Sequence, residues 1–357
     1  MRKKPIIAIT MGDPAGIGPE VIIKSLASSE VKSACTPIIV GSPSVMSKAA
    51  ELLRSQVQMM VADTFEELDS QGATIPVLDC IGSSVEKVKI GRASEASGVA
   101  AARAIKRAVE LASGGAVNAI VTGPVSKHAL HLAGYNYPGQ TEFLADLTGA
   151  SEVVMMLVSE KLRVALVTTH CSISDVAAGI TKETIVKKMT ILNTWLPVYF
   201  EVSRPRIAVC ALNPHAGDGG IFGREEIETI GPAIEEVKGM GIDAVGPVPA
   251  DALFAQSRVK PYDAYLAMYH DQGLVPLKMG AFGEGVNVTL GLPIVRTSPD
   301  HGTAFDLAGK GVADPASMIE AVKLAARMAK RKPQNRLIGT LFSISWFPTG
   351  EFSHKIY

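Results

Sequence analysis

Residues 6–26 read IIAITMGDPAGIGPEVIIKSL. A short apolar run, Ile6 to Ile9, leads into three glycines, and Val21 to Leu26 then follows a helical pattern. Glycine-rich turns between a strand and a helix are where proteins commonly hold phosphates, because backbone N–H groups converge there. Here Gly12, Gly16 and Gly18 match neither G-x-G-x-x-G nor a P-loop, since no Lys-Ser/Thr pair follows. A tight strand-to-helix turn requires the same glycines, so both readings stand at this point.

The strand–turn–helix unit recurs outward from this stretch. Strands are predicted at Ile6–Thr10, Pro37–Gly41, Ala119–Thr122, Val153–Val158, Leu162–Thr168, Arg206–Ala211 and Ala264–Met268. Helices are predicted at Pro19–Leu26, Ser94–Ala112, Lys182–Leu196, Glu225–Lys238 and Pro315–Lys330. Such alternation implies an α/β fold with a largely parallel sheet buried on both faces. Asn287–Leu290 and Ile294–Thr297 flank Gly291-Leu292-Pro293, the pattern of a hairpin. The 357 residues suggest about two domains. After Pro333 the chain runs into LIGTLFSISWFPTGEF, read either as cover for a partner subunit or the core edge, or as an irregular extension.

Composition narrows the function. Lys plus Arg and Asp plus Glu are 35 each, which argues against nucleic acid or a membrane surface as the main partner. Any anionic ligand must then be neutralised by local groups. The four cysteines form no CxxC pair and no disulfide framework, as expected of a reducing cytoplasm. The apolar run behind Arg2, Lys3 and Lys4 is too short for a signal peptide, and none approaches a membrane span.

Three strand candidates run into histidine: RVALVTTH at His170, RIAVCALNPH at His215 and DAYLAMYH at His270. Ligands bind at the carboxyl ends of strands in open α/β sheets, and neutral imidazoles suit a divalent ion. A structural role for each histidine is the competing reading. Asp271, beside His270, is read as a capping or a catalytic carboxylate. Lys278 sits in the apolar context LVPLKMGAF, unusual for a solvated lysine. Arg296 follows LPIV and is read as one half of a salt bridge or as a fork for phosphate or carboxylate. TGPVSKHAL and PGQTEFLADL are read either as anion-holding helix starts or as plain caps, with Ser126 and Thr141 the N-cap candidates and Gln140 beside Thr141.

GDPAGIGPE, GQTEF, the histidines in VTTH, NPHAG and YHDQG, and NVTLGLPIVRTSPDHGTAFDLAGKG together resemble the 4-hydroxythreonine-4-phosphate dehydrogenase family. The resemblance runs from about Ile6 to about Lys330. That family is related to isocitrate and isopropylmalate dehydrogenases, whose fold has two α/β/α domains with a cleft between them. The implied division is 1–125 plus 290–332, then 126–289 carrying the histidines, with 333–357 as a C-terminal extension.

The family's reaction serves pyridoxine and pyridoxal phosphate biosynthesis. NAD or NADP takes a hydride from 4-phosphooxy-L-threonine, and the 3-oxo acid loses its carboxylate to give 3-amino-2-oxopropyl phosphate. The resemblance assigns His170, His215 and His270 to a divalent metal (zinc, magnesium or cobalt), in a site shared across a homodimer. It assigns Gln140, Thr141, Lys278, Asn287 and Arg296 to the substrate. Asp251 and Lys278 are the candidate catalytic residues. Gly12, Gly16, Gly18, His301, Gly302 and Asp306 are the cofactor candidates. The family commonly has histidine where this chain has Gln140. That departure keeps a sister group in view, which acts on D-threonate or D-erythronate 4-phosphate. A non-catalytic binding protein for a phosphorylated acid is a more distant alternative.

Overall fold

The computed structural model describes residues 4–62, 74–257, 259, 261–281 and 283–331. The segment after Pro333 lies outside the described residues. Strand β1 (Ile6–Thr10) pairs in parallel with β2 (Thr36–Gly41) on one side and β5 (Ala119–Thr122) on the other. Its side chains alternate between two cores, Ile7 and Ile9 into one and Ala8 into the other. This double burial is why the strand is continuously apolar rather than alternating with polar residues.

The remaining strands are β3 (Met59–Ala62), β4 (Ile75–Asp79), β6 (Val154–Val158), β7 (Arg163–Leu166), β8 (Arg206–Cys210) and β9 (Asp243–Val248). They are completed by β10 (Ala264–Ala267), β11 (Val286–Leu290) and β12 (Arg296–Pro299). All join one sheet in the order β3-β4-β2-β1-β5-β12-β11-β6-β7-β10-β8-β9. The pairs β11–β12, β11–β6 and β6–β7 are antiparallel, and the others parallel. The predicted hairpin is the β11–β12 pair, with Asn287 opposite Ser298. Strands β1 to β5 with β12 form one end of the sheet and β6 to β11 the other; the join falls between β12 and β11.

Three strands escaped the sequence pattern, and each has a local reason. MMVA is short, IPVLD contains proline, and DAVGPV contains a Gly-Pro pair, which weakens a strand signal. Helix Glu95–Ser113 starts where predicted. Ser94 Oγ accepts from the Ser97 amide at 3.2 Å, and Ser97 Oγ accepts from the Ser94 amide at 3.2 Å. Helix Ala316–Arg331 buries Met318, Ala321, Val322 and Ala325 and packs on β12. It also holds that strand by polar contacts, with Thr297 Oγ1 donating to Ala321 O at 2.8 Å. Among the described residues no helix is long and apolar enough to cross a membrane.

Two expectations about local structure change. The strands β7, β8 and β10 stop at Leu166, Cys210 and Ala267, so the three histidines lie beyond them. His270 in fact opens the helix His270–Ala281. Thr141 is not an N-cap: Gly139 holds that position and Thr141 lies inside helix Gln140–Thr148. Its hydroxyl is therefore not consumed by a cap.

Candidate active site

The antiparallel strand β11 brings its amino end beside the carboxyl end of β12, with Val286 opposite Pro299. The carboxyl ends of β5 and β12, the loop after β7 and the helix after β10 converge around it. They enclose a cavity of about 240 Å³. Gln140, Thr141, His170, His270, Lys278, Asn287, Arg296, His301 and Gly302 all line it. Residues from five separate parts of the chain thus meet in one place.

Arg296 is the electrostatic centre. Its side chain is 2% exposed. The guanidinium donates to Thr122 Oγ1 at 3.1 and 2.8 Å, to Thr289 Oγ1 at 2.9 Å and to Gln140 Oε1 at 3.4 Å. All of these acceptors are neutral, and among the described residues no carboxylate forms an ion pair with it. Burial pulls its pKa down to about 10, against the opposing charge of Glu142, and leaves it a cation at neutral pH. A buried cation without a counter-ion is costly, and a ligand anion relieves that cost. Gln140 is steered by the same contact, and its Nε2 reaches Gly123 O at 3.4 Å.

Further positive charge surrounds it. Lys278 lies in the last turn of its helix and pairs with Asp300 at 2.8 Å. Lys127 lines the cavity from the start of helix Lys127–Leu132, where burial lowers its pKa and Glu142 opposes the shift. Two buried oxygen or nitrogen atoms in the lining, Asn287 Oδ1 and His301 Nε2, have no hydrogen-bond partner. Buried polar atoms are normally paired, so both await a ligand group.

His170 and His270 stand side by side, their ring centroids 5.9 Å apart. They form a wall between this cavity and a second one of about 260 Å³, lined also by Thr168, Ile173 and Tyr269. His270 Nδ1 is 2.7 Å from Asp271 Oδ1, which orients the ring and leaves Nε2 for a ligand. Burial, then the charge of Lys127, lowers the pKa of His170, which favours the neutral imidazole a metal needs. These two residues suit a divalent ion as donors from one chain.

The other predicted residues stand apart from the cavity lining. His215 is exposed on the turn Pro214–Gly220, in contact with Phe222. Among the described residues, no group of three His, Cys, Asp or Glu side chains is close enough to hold a metal. Asp251 is exposed in the first turn of helix Ala250–Gln256, and Asp306 is exposed on the loop after β12. Gly12, Gly16 and Gly18 are buried. Where each would carry a Cβ, protein already stands: Pro124 O at 2.5 Å, Thr303 O at 2.8 Å and Met11 O at 2.6 Å. Their missing side chains serve close packing of the chain on itself.

The turn carrying His215 is left-handed from His215 to Gly219, with φ of 53° at His215, 53° at Ala216 and 43° at Asp218. Left-handed backbone costs about 1–2 kcal/mol per non-glycine residue. Glu226, 5% exposed, holds the turn's entry by accepting from the Leu212 and Asn213 amides, both at 2.8 Å. Its other oxygen accepts from Asn213 Nδ2 at 3.0 Å. Glu226, Lys127, Asp300 and Thr122 were not singled out from sequence. Thr122 ends β5 and Lys127 opens the helix after it, both within the stretch TGPVSKHAL that the sequence offered for an anion.

An α/β sheet thus carries at its strand ends a cavity lined by Arg296, Lys127 and Lys278 and flanked by an imidazole pair, an arrangement suited to a small anionic ligand. Residues 33–325 match the family model described as "Pyridoxal phosphate biosynthetic protein PdxA". The chain belongs to the PdxA family. It is 46% identical over 329 residues to 4-hydroxythreonine-4-phosphate dehydrogenase of Trichlorobacter lovleyi, covering 91% of this chain and 98% of that relative. It is 45% identical over 333 residues to D-threonate 4-phosphate dehydrogenase of Cupriavidus necator, covering 92% of this chain and 98% of that one. Among solved structures, 4-hydroxythreonine-4-phosphate dehydrogenase of Klebsiella pneumoniae matches with a TM-score of 0.82 and 42% identity. That match covers 91% of this chain and 99% of the other. The chain is accordingly an oxidoreductase of the dehydrogenase type.

Proposed function

We propose that this protein oxidises and decarboxylates 4-phosphooxy-L-threonine in pyridoxal phosphate biosynthesis, with NAD or NADP as hydride acceptor and a divalent metal (zinc, magnesium or cobalt). The observation that carries the reading is Arg296, a buried guanidinium facing the cavity with only neutral acceptors. A phosphate or carboxylate is the counter-ion it lacks. Lys127 supplies further positive charge at the cavity wall, and Lys278, paired with Asp300, supplies an amine beside the substrate. Thr141, Gln140 and Asn287 orient its hydroxyl and amine.

The C3 hydride passes to the nicotinamide and the C3 hydroxyl proton to a base. The C1–C2 bond then breaks, carbon dioxide leaves, and the resulting enolate takes a proton at C2 to give 3-amino-2-oxopropyl phosphate. Lys278 is the base candidate that lines the cavity; Asp251 would contribute from a second subunit. His170 and His270 hold the metal, which when bound supplies Lewis-acid stabilisation of negative charge on the reacting oxygen. His301, Gly302 and Asp306 face the cofactor. His301 Nε2 is unpartnered, and nothing lies within 4 Å of the position a Cβ on Gly302 would take.

The third imidazole, His215, is donated by a second copy in a homodimer, in the cytoplasm. Exposed Ile221 and Phe222 beside His215, and Ile173 beside His170, support such a contact. The cleft lies between the two ends of the sheet, divided as 1–125 plus 290–332 and 126–289.

A second reading, D-threonate or D-erythronate 4-phosphate dehydrogenase, is favoured by Gln140. Its neutral amide touches Arg296 where the biosynthetic enzymes commonly carry a titratable histidine. Steady-state NADH and NADPH formation on each phosphorylated acid decides between them. The main reading expects turnover of 4-phosphooxy-L-threonine that chelator abolishes and added zinc, magnesium or cobalt restores. Turnover of the threonate ester alone selects the second.

A further inference from the structure

We infer that the loop GDPAGIGPE (residues 12–20) does not itself touch the cofactor but templates the loop HGTAFDLAGKG (residues 301–311), with Glu20 as the positioning residue. This rests on the proposal that residues 301–311 face NAD or NADP.

Glu20 is 3% exposed, on the first turn of helix Gly18–Ala27. Among the described residues no cation forms an ion pair with it. Both oxygens are instead taken by backbone amides nearly three hundred positions away along the chain, Gly309 N at 2.6 Å and Gly311 N at 2.8 Å. Gly309 and Gly311 have φ of 79° and 69°, so the turn is one that only glycine enters freely. A buried carboxylate is tolerated because those two amides solvate it, and the amides are paired only because the carboxylate is there.

The other end of the second loop is tacked to the same template. Ile17 N donates to Thr303 O at 2.9 Å, and a Cβ on Gly16 would sit 2.8 Å from that oxygen. Ala15 O accepts from Gly91 N at 2.7 Å, and Gly91 in turn lies against Phe305 O. The first loop therefore grips the second at Thr303 and at Gly309–Gly311. Within residues 301–311, Gly302, Asp306, Leu307, Gly309 and Lys310 are exposed. Of the three glycines in the first loop, Gly16 is buried under this contact, while Gly12 and Gly18 are buried against Pro124 and Met11. Gly16 and Ile17 thus back the loop at Thr303, and Glu20 holds it at Gly309 and Gly311.

The test titrates NADH and NADPH into the full-length enzyme by fluorescence, with inorganic phosphate binding and thermal unfolding measured in parallel. Glu20→Ala should raise the dinucleotide dissociation constant at least tenfold and the cofactor KM with it, while kcat and phosphate affinity change little. Glu20→Gln should be milder, since its amide oxygen still accepts one N–H, and it carries the test if Glu20→Ala does not fold. Gly302→Val, on the outward face, checks the cofactor reading separately. Weakened dinucleotide binding in Gly302→Val with none in either Glu20 variant overturns the inference alone. Unchanged binding in Gly302→Val overturns the cofactor reading and the inference with it. Parallel loss of phosphate and dinucleotide affinity in the Glu20 variants makes Glu20 a general structural residue and also overturns the inference.

Discussion

Arg296 and Asp13 are the residues where burial and charge conflict most directly. Replacing Arg296 by methionine removes a buried ion without a counter-ion, so stability in the absence of ligand should hold or rise. Turnover should fall by a factor of 100 or more, on the order of the 2–5 kcal/mol lost when one partner of a buried charge pair is removed. In the natural protein inorganic phosphate should raise Tm, and Arg296→Met should abolish that shift. Differential scanning fluorimetry reads both effects. Asp13 is fully buried, accepting from the Ala15 amide at 2.9 Å and from Ser97 Oγ at 3.4 Å. Burial raises its pKa above 3.8, outweighing these hydrogen bonds. The unfolded chain then loses this proton first, so from Asp13 alone stability falls as pH rises from 3.8 through the folded value. Asp13→Asn should remove that slope, as urea unfolding across pH 4 to 7 would show. Arg296 was legible in the sequence because a charge embedded in LPIV must be paired or used. Asp13 was not, because a turn aspartate reads alike whether buried or exposed.

At the scale of elements, the turn Pro214–Gly220 and the π-helical turn Glu226–Ile230 act as one unit. Backbone strain in the first is balanced by a carboxylate from the second, and π turns are frequent where a site imposes a local irregularity. Glu226→Ala would leave the Leu212 and Asn213 amides unpaired, each costing about 1–3 kcal/mol when buried. Hydrogen exchange at those two amides should accelerate, and metal content should fall if His215 is a ligand. The predicted helix Glu225–Lys238 covered both the π turn and helix Gly231–Gly239, because apolar spacing does not distinguish a wide turn from a regular one. The left-handed turn was equally hidden. Glycine density in NPHAGDGG announced a bend, but not that His215 and Ala216 would share its hand.

For the whole molecule, the decisive question is whose cavity His215 serves. Its own chain leaves it outside the lining that holds His170 and His270. If sites are shared across a two-fold axis, His170→Ala and His215→Ala are each inactive alone, yet mixing them restores activity. A hybrid dimer then holds one intact site, and random exchange should recover about a quarter of the natural activity. Purely additive, inactive mixtures would place His215 in its own subunit or outside catalysis. Sedimentation at several concentrations checks the dimer independently.

The sequence by itself determined the α/β class, the β11–β12 hairpin and most long helices, because strand and helix periodicities are local properties of the chain. It also singled out Arg296, Lys278 and the histidines as candidates, since each follows or sits in an apolar run, but left each one's role open. Only the tertiary structure decided which of those residues meet. The sheet order sets β12 beside β11 and β7 beside β10, gathering Arg296, Asn287, His170 and His270 while leaving His215 and Asp251 apart. Glu20 and Gly309 find each other by the same route. Such contacts depend on how distant strands pair, and no pattern within a few residues of either partner encodes it.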